Sequence, residues 1–206
     1  HGLEILADRD LLEQFLFTFR TVTADHFFDS HFADDFVTDV ADADVGFMLF
    51  QERGNRIKGL LHAQGEHAAR LAALHDDPDR YAEELARLKA LAVCELLPGR
   101  LVLGADTIVV LAGEVLEKPA DQDEACRMLA RLSGKRHTVI SAIALCGGLH
   151  RQWLGHERTE VEFLPLTADT IRRYVDTGEP MDKAGAYGIQ GFGALMVRGV
   201  AGCYFN

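Results

Sequence analysis

Asp106 is the residue whose surroundings ask most of its chemistry. It stands inside LVLGADTIVVL, residues 101–111, with apolar and β-branched runs on either side. A carboxylate in such a run carries a large desolvation cost unless a metal ion, a lysine or backbone N–H groups meet it. The plainer alternative is a turn aspartate following Gly104. Lysines supply the complement: Lys118 in GEVLEKP, Lys183 in EPMDKAG, and Lys89 on the helix that precedes the Asp106 strand. One carboxylate among several lysines suits an anionic, metal-bound substrate such as a nucleotide polyphosphate. Taken alone, each lysine reads as a solvated surface group. The third element is DKAGAYGIQGFGAL, residues 182–195. Its glycines allow a backbone to approach a ligand closely, and Gln190 carries both a donor and an acceptor for reading a base edge. The same stretch reads equally as a glycine-rich connection with a surface glutamine. It is neither G-x4-G-K-[ST] nor G-x-G-x-x-G after a strand.

Other reactive types form no convincing constellation. His26 and His31, like His62 and His67, are five residues apart, which separates them on a helix and on a strand, and neither H-E-x-x-H nor a cysteine partner occurs. Cys94, Cys126, Cys146 and Cys203 show no C-x2-C spacing and read as small buried hydrophobes in a reducing cytosol. Ser133 and Ser141 lack the G-x-S-x-G context of a serine hydrolase.

The elements that must position these residues are clearest from Asp77 onward. Asp77-Pro78 is a helix start, and Tyr81, Leu85, Leu88, Ala92 and Leu96 recur at helical spacing until Pro98-Gly99. Residues 101–111 and 137–146 read as strands buried on both faces. Between them, Ala125, Met128, Leu129 and Leu132 mark one helix face. TEVEF alternates, with Thr159, Val161 and Phe163 on one side and Glu160 and Glu162 on the other. Ile171, Tyr174 and Val175 give a short helix ending near Gly178, and 193–200 reads as a last strand. Residues 64–74 look helical, and Phe15, Phe17 and Phe19 alternate as in a strand. Strands alternating with helices place the chain in the α/β class.

The 206 residues are 48% hydrophobic, enough for a substantial core, and no window is apolar enough to span a bilayer. Residues 1–10 show no secretory leader, so a cytoplasmic protein is expected. A net charge of −11 disfavours a nucleic-acid partner. The charge is uneven: residues 1–60 hold 12 acids and 5 bases, residues 61–206 hold 20 and 16. Nine of the 12 phenylalanines also fall between Phe15 and Phe50, so residues 15–76 form an atypical Asp- and Phe-rich segment.

Taken together, EELARLKALA, LVLGADTIVV, GEVLEKP, ACRMLARLSGKRHTV, TEVEF, YVDTGEPMDKAGAYGIQGFGALMV and VAGCYFN resemble the Maf family of nucleoside triphosphate pyrophosphatases, in the family's order from Tyr81 to Asn206. GADT with EKP and YGIQG resembles the subgroup that hydrolyses dTTP and UTP. The resemblance implies one Maf-like domain over 1–206, related in fold to inosine triphosphate pyrophosphatases: a mixed central sheet flanked by helices, with a cleft between two lobes. It comprises a first strand and helix start (1–14), the atypical segment (15–76) and the family-like catalytic part (77–206). By the same resemblance Asp106 is the catalytic acidic residue that activates water and holds Mg²⁺ or Mn²⁺. Lys89 and Lys118 contact phosphate, Thr107 and Gln190 bear on substrate choice, and Lys183 lies in a matching substrate motif. The products would be a nucleoside monophosphate and pyrophosphate, and a homodimer is implied. Three departures stand out. The family's Ser-x-Ser-Pro-Arg-Arg loop has at most Arg9 as its remnant, and Asp25 is a weak match to a family acidic pair. Members also continue beyond the position of Asn206. The rival expectation is therefore a catalytically weak Maf-like module that binds nucleotide or a protein. A third is a phosphatase of another kind using the same Asp and Lys set.

Overall fold

A computed structural model describes residues 65–94, 102–147 and 151–206. Arg9, the Phe15–Phe19 alternation, Asp25, the Asp- and Phe-rich stretch, and the His26/His31 and His62/His67 pairs' side chains lie outside the described residues. Helix α1 spans Gly65–Ala73 and α2 spans Pro78–Cys94. Strands β1 (Val102–Leu111) and β2 (Glu114–Leu116) precede helix α3 (Gln122–Leu132). Strands β3 (Arg136–Gly147) and β4 (Arg151–Phe163) lead to α4 (Ala168–Val175), three 3-10 turns and β5 (Val197–Ala201). The sheet runs β2-β1-β3-β4-β5, and the β1–β2 and β4–β5 pairs are antiparallel. The α/β class expected from the sequence is the one observed.

Local chemistry sets the boundaries. Asp77 Oδ1 accepts from the Arg80 amide at 3.3 Å, capping α2 at the proline that fixes its first φ. At α3, Asp121 Oδ1 accepts from Glu124 N and Glu124 Oε2 accepts from Ala120 N, both at 2.7 Å. That reciprocal exchange satisfies two amides that have no partner inside the helix. Thr167 caps α4 in the same way. The buried faces of α3 and α4 are Ala125, Met128, Leu129 and Leu132, and Ile171, Tyr174 and Val175, as the periodicity indicates. The expected strand over 193–200 is shorter than its composition suggests. Residues Phe192–Met196 form a 3-10 turn, and only Val197–Ala201 pair with β4, across a bulge at Glu162/Phe163. Strand β4 conversely extends back to Arg151, through RQWLGHER, where neither alternation nor a continuous apolar run announces a strand.

The chain divides into two compact units. In the first, the described residues are 86–94, 102–105, 143–147 and 151–155. Its core contains Leu88, Val93, Val102, Leu103 and Leu145. Gly104 admits α2 directly onto β1: a Cβ there would lie 2.4 Å from the Ala86 carbonyl oxygen and 2.7 Å from the Ala90 amide nitrogen. The Cys94 thiol donates to the Cys146 carbonyl at 3.3 Å, and all four cysteines are free thiols. Cys146 is buried, whereas Cys94, Cys126 and Cys203 are only half-buried, so the expected uniform burial holds for one of the four.

The second unit holds residues 65–85, 106–142 and 156–206 of the described chain. Its core joins Val109, Leu111 and Leu116 to the apolar faces of α3 and α4, with Val161, Phe163, Tyr187 and Met196. His137, 2% exposed, is packed edge-on to Phe163 and Tyr187 and shares a 2.7 Å hydrogen bond between Nε2 and the Tyr187 hydroxyl. Its Nδ1 is buried without a hydrogen-bond partner. Burial pushes the imidazole from 6.5 down to about 4. The folded chain therefore keeps the ring neutral down to that value, while the unfolded chain takes up a proton near 6.5. Between the two the unfolded state binds more protons, so stability falls as pH falls, by at most about 3 kcal/mol from this group. Denaturant unfolding followed from pH 7 to 4 should show a shallower loss in His137→Gln than in the parent; parallel curves would assign the acid sensitivity elsewhere.

Candidate functional site

Strand β1 is buried at Val102–Gly104 and again at Ile108–Leu111, but Ala105 and Thr107 are exposed and Asp106 is half-buried. Successive strand residues face opposite sides, so three uncovered positions in a row mean that the strand is open on both faces there. Asp106 thus lies within continuous strand, not in a turn after Gly104. Thr107 Oγ1 shares a 2.8 Å hydrogen bond with Ser141 Oγ on neighbouring β3.

Within the second unit one hydroxyl lies in electrostatic reach of Asp106. The Tyr81 hydroxyl, from α2, donates to Glu117 Oε1 at 3.1 Å. Its pKa is pushed up to about 12 by burial, then by Glu117, and further by the negative charge of Asp106. Two carboxylates therefore act on one hydroxyl. Sequence periodicity counts Tyr81 as a core residue of a helix face, which it also is, and gives no sign of this polar role.

Lys118 follows Glu117 and is half-buried before the buried Pro119. Lys183 forms an ion pair with Asp182 at 2.5 Å. The Asp182 carboxyl is held below its usual range first by the Lys183 hydrogen bond and also by the charge of Lys118. Two ammonium groups from separate segments thus converge on one exposed carboxylate. The link between these segments is Gly185, whose amide donates to the Glu117 carbonyl at 3.1 Å. Gly185 has φ +64°, and a Cβ there would come within 2.9–3.0 Å of Val109 side-chain atoms. The turn carrying Lys183 is thereby pinned to β1 and to the end of β2.

The glycines after Lys183 make their close approaches within the protein. A Cβ on Gly191 would lie 2.5 Å from the Glu179 carboxylate, and one on Gly193 would lie 2.5 Å from the Gly188 carbonyl oxygen. Both glycine readings from the sequence meet here, because this connection bears the exposed Gln190. Lys89 is buried, 9% exposed, and belongs to the first unit, whereas Asp106, Thr107, Lys118, Lys183 and Gln190 belong to the second. Glu179, Tyr174, Asp182, Glu117 and Tyr81 escaped the sequence reading. Glu117, Asp182 and Glu179 are signalled only by proximity in sequence to Lys118, Lys183 and the glycines, and the two tyrosines only as helix-face residues.

Among the described residues no three His, Cys, Asp or Glu side chains are grouped to hold a metal ion. Mg²⁺ and Mn²⁺ bound with a polyphosphate need only one or two protein carboxylates, the remaining positions going to substrate oxygens and water. Asp106 and Glu117, the two carboxylates whose charge acts on the Tyr81 hydroxyl, are donors of that kind. Among the described residues no helix is long and apolar enough to cross a membrane.

A model of the Maf-like protein family matches residues 48–206. The dTTP/UTP pyrophosphatase of Symbiobacterium thermophilum is 53% identical over 135 residues, 65% of this chain and 69% of that protein. The dTTP/UTP pyrophosphatase of Koribacter versatilis is 46% identical over 140 residues, 68% and 72% of the two chains. That of Moorella thermoacetica is 53% identical over 133 residues, 64% and 69%.

Replacing Gly185 tests the pin that links these segments. Gly185→Ala should destabilise the chain by about 2 kcal/mol, through its left-handed φ and the contact with Val109. Val109→Ala, made in the same chain, should recover part of that loss; melting temperatures of the single and double variants would show whether the costs simply add.

Proposed function

The chain belongs to the Maf-like protein family, and from that membership and its site we propose that it is a nucleoside triphosphate pyrophosphatase acting on dTTP and UTP. The observation that carries this reading is the half-buried Asp106 at the one open stretch of an otherwise buried strand, within a segment similar to named dTTP/UTP pyrophosphatases.

The reaction places water against the α-phosphorus. Its oxygen forms the new P–O bond as the bond from the α-phosphorus to the bridging oxygen breaks, and pyrophosphate leaves. Asp106 orients the water and accepts its proton, which returns to solvent after product release. Lys118 and Lys183, whose segments are joined by the Gly185 amide on the Glu117 carbonyl, take up charge on the phosphate oxygens. By the family resemblance Lys89 is also assigned to phosphate and Arg9 to substrate. Thr107 and Gln190 are assigned to nucleotide choice. A bound Mg²⁺ or Mn²⁺, held by Asp106, would neutralise phosphate oxygens when present. Tyr81 keeps Glu117 in place beside this arrangement. The reading treats residues 1–206 as one domain and places the protein in the cytoplasm, where its four free thiols would stay reduced.

The test is to incubate the chain with each nucleoside triphosphate and Mg²⁺ or Mn²⁺, and to measure pyrophosphate and orthophosphate separately. Pyrophosphate should be released, fastest from dTTP and UTP. Asp106→Asn should lower kcat by about 100-fold or more, because it loses the base and keeps the shape. Orthophosphate as sole product would instead identify a phosphatase, and a folded chain that turns over no triphosphate would identify a binding module.

A further inference from the structure

Gln190 sits at the third position of a tight turn, in which the Gly191 amide donates to the Gly188 carbonyl at 3.2 Å. The turn is exposed at its tip, yet both of its ends are tied to one half-buried carboxylate. Glu179 Oε2 accepts from the Phe192 amide at 2.9 Å, and Oε1 accepts from the Gly193 amide at 3.2 Å. Oε1 also accepts from the Tyr174 hydroxyl at 2.8 Å, and that hydroxyl accepts from the Gly188 amide at 3.2 Å. Tyr174 itself is fixed, 6% exposed in the core on the buried face of α4. The absence of a Cβ at Gly191 is what allows the carboxylate in so close. Burial works against ionisation of Glu179, but the Phe192 amide, the Tyr174 hydroxyl, the Gly193 amide and Lys183 together outweigh it, so its carboxyl stays below the ordinary range. The anchor is therefore an anion whenever the protein works near neutral pH.

A glutamine amide has a donor end and an acceptor end. Uracil and thymine present an N–H donor beside a carbonyl acceptor, whereas cytosine presents a ring acceptor beside an amino donor. The amide can favour one edge only where it meets that edge at a set distance and angle, and a held backbone is the first requirement for that. We propose that Glu179, acting with Tyr174, is the positioning residue that fixes the 188–193 turn and so makes Gln190 select uracil and thymine over cytosine. This rests on the pyrophosphatase reading and adds to it the part of the chain that creates base selectivity. Glu179 acts through the turn and does not itself touch the nucleotide.

The test compares kcat/KM for UTP and CTP, with the same divalent metal, in the full chain and in Glu179→Gln, Tyr174→Phe and Gln190→Ala. Glu179→Gln replaces one accepting oxygen by a donor that faces an amide, and Tyr174→Phe removes only the hydroxyl. The UTP/CTP ratio should fall about 10-fold in the first and about 3-fold in the second, in line with losing a charged and a neutral hydrogen bond. In a Gln190→Ala background, Glu179→Gln should no longer change the ratio. A merely structural role would scale both nucleotides equally, so an unchanged ratio with reduced activity would overturn the inference. So would a ratio that still changes without Gln190, or a parent chain that uses UTP and CTP alike. If Glu179→Gln does not fold, Tyr174→Phe, which keeps its ring in the core, decides the matter. A folded parent chain that releases pyrophosphate from no triphosphate defeats the pyrophosphatase reading itself, and that result is visible before any variant is made.

Discussion

The carboxylate of Asp106 must remain in water while the strand that carries it is buried at both ends. Every other feature of the site answers to that constraint. Val102–Gly104 and Ile108–Leu111 need cover, and a strand with apolar residues at consecutive positions needs it on both faces. Cover continued over Ala105–Thr107 would strand an ionised group in a low-dielectric interior, at a cost that no single contact described here offsets. The interruption of cover resolves the conflict and leaves Ala105–Thr107 open to solvent. Under the proposed reading, the same opening is where a substrate would meet Asp106.

The segments around that opening are tied by backbone contacts more than by their own charges. Lys118 and Lys183 gather at Asp182, but exposed ion pairs of this sort contribute little to stability and are weakened by salt. What brings the two lysines together is the Gly185 amide on the Glu117 carbonyl and the packing of Gly185 on Val109. Asp182 lies under the charge of both ammonium groups, and the proposed polyphosphate, with more negative charge, would compete with it for them. This also reconciles a net charge of −11 with a polyanionic substrate, since screening limits the reach of distant acids to roughly a Debye length of about 8 Å at physiological salt.

How far the sequence could be read differs by element for physical reasons. The faces of α3 and α4 were legible because a helix packed on one side must repeat its apolar residues at 3.6-residue spacing, and Ala125, Met128, Leu129 and Leu132 do so. The alternation of Thr159, Val161 and Phe163 with the two glutamates was legible because one face of β4 is buried there. The first half of β4 was not, because Gln152 and Leu154 are both exposed and Gly155 is buried, which reverses any expected pattern. In the site, Asp106 stood out by violating its surroundings. Glu117, Glu179 and Tyr174 did not, since a glutamate in a polar turn and a tyrosine on a helix face conform to theirs. Their roles arise from pairings across 36 residues for Tyr81 and Glu117, and across 13 and 14 for Glu179 and the glycine turn. No local pattern encodes such a pairing.

The glycine-rich stretch shows why a motif's composition is a poor guide to what its glycines touch. Four glycines near a glutamine invite the inference that a ligand's phosphates fill the space where side chains are missing. Here the space beside Gly191 is filled by Glu179, and that beside Gly185 by Val109. A carboxylate received by two backbone amides and a hydroxyl is the arrangement a protein uses to bind an anionic ligand, turned inward on its own side chain. Such an internal anion costs burial but removes the mobility that a glycine-rich turn would otherwise keep. The exposed tip can then carry a recognition residue on a backbone that does not have to be ordered at the moment of binding, and the ordering entropy is met during folding instead.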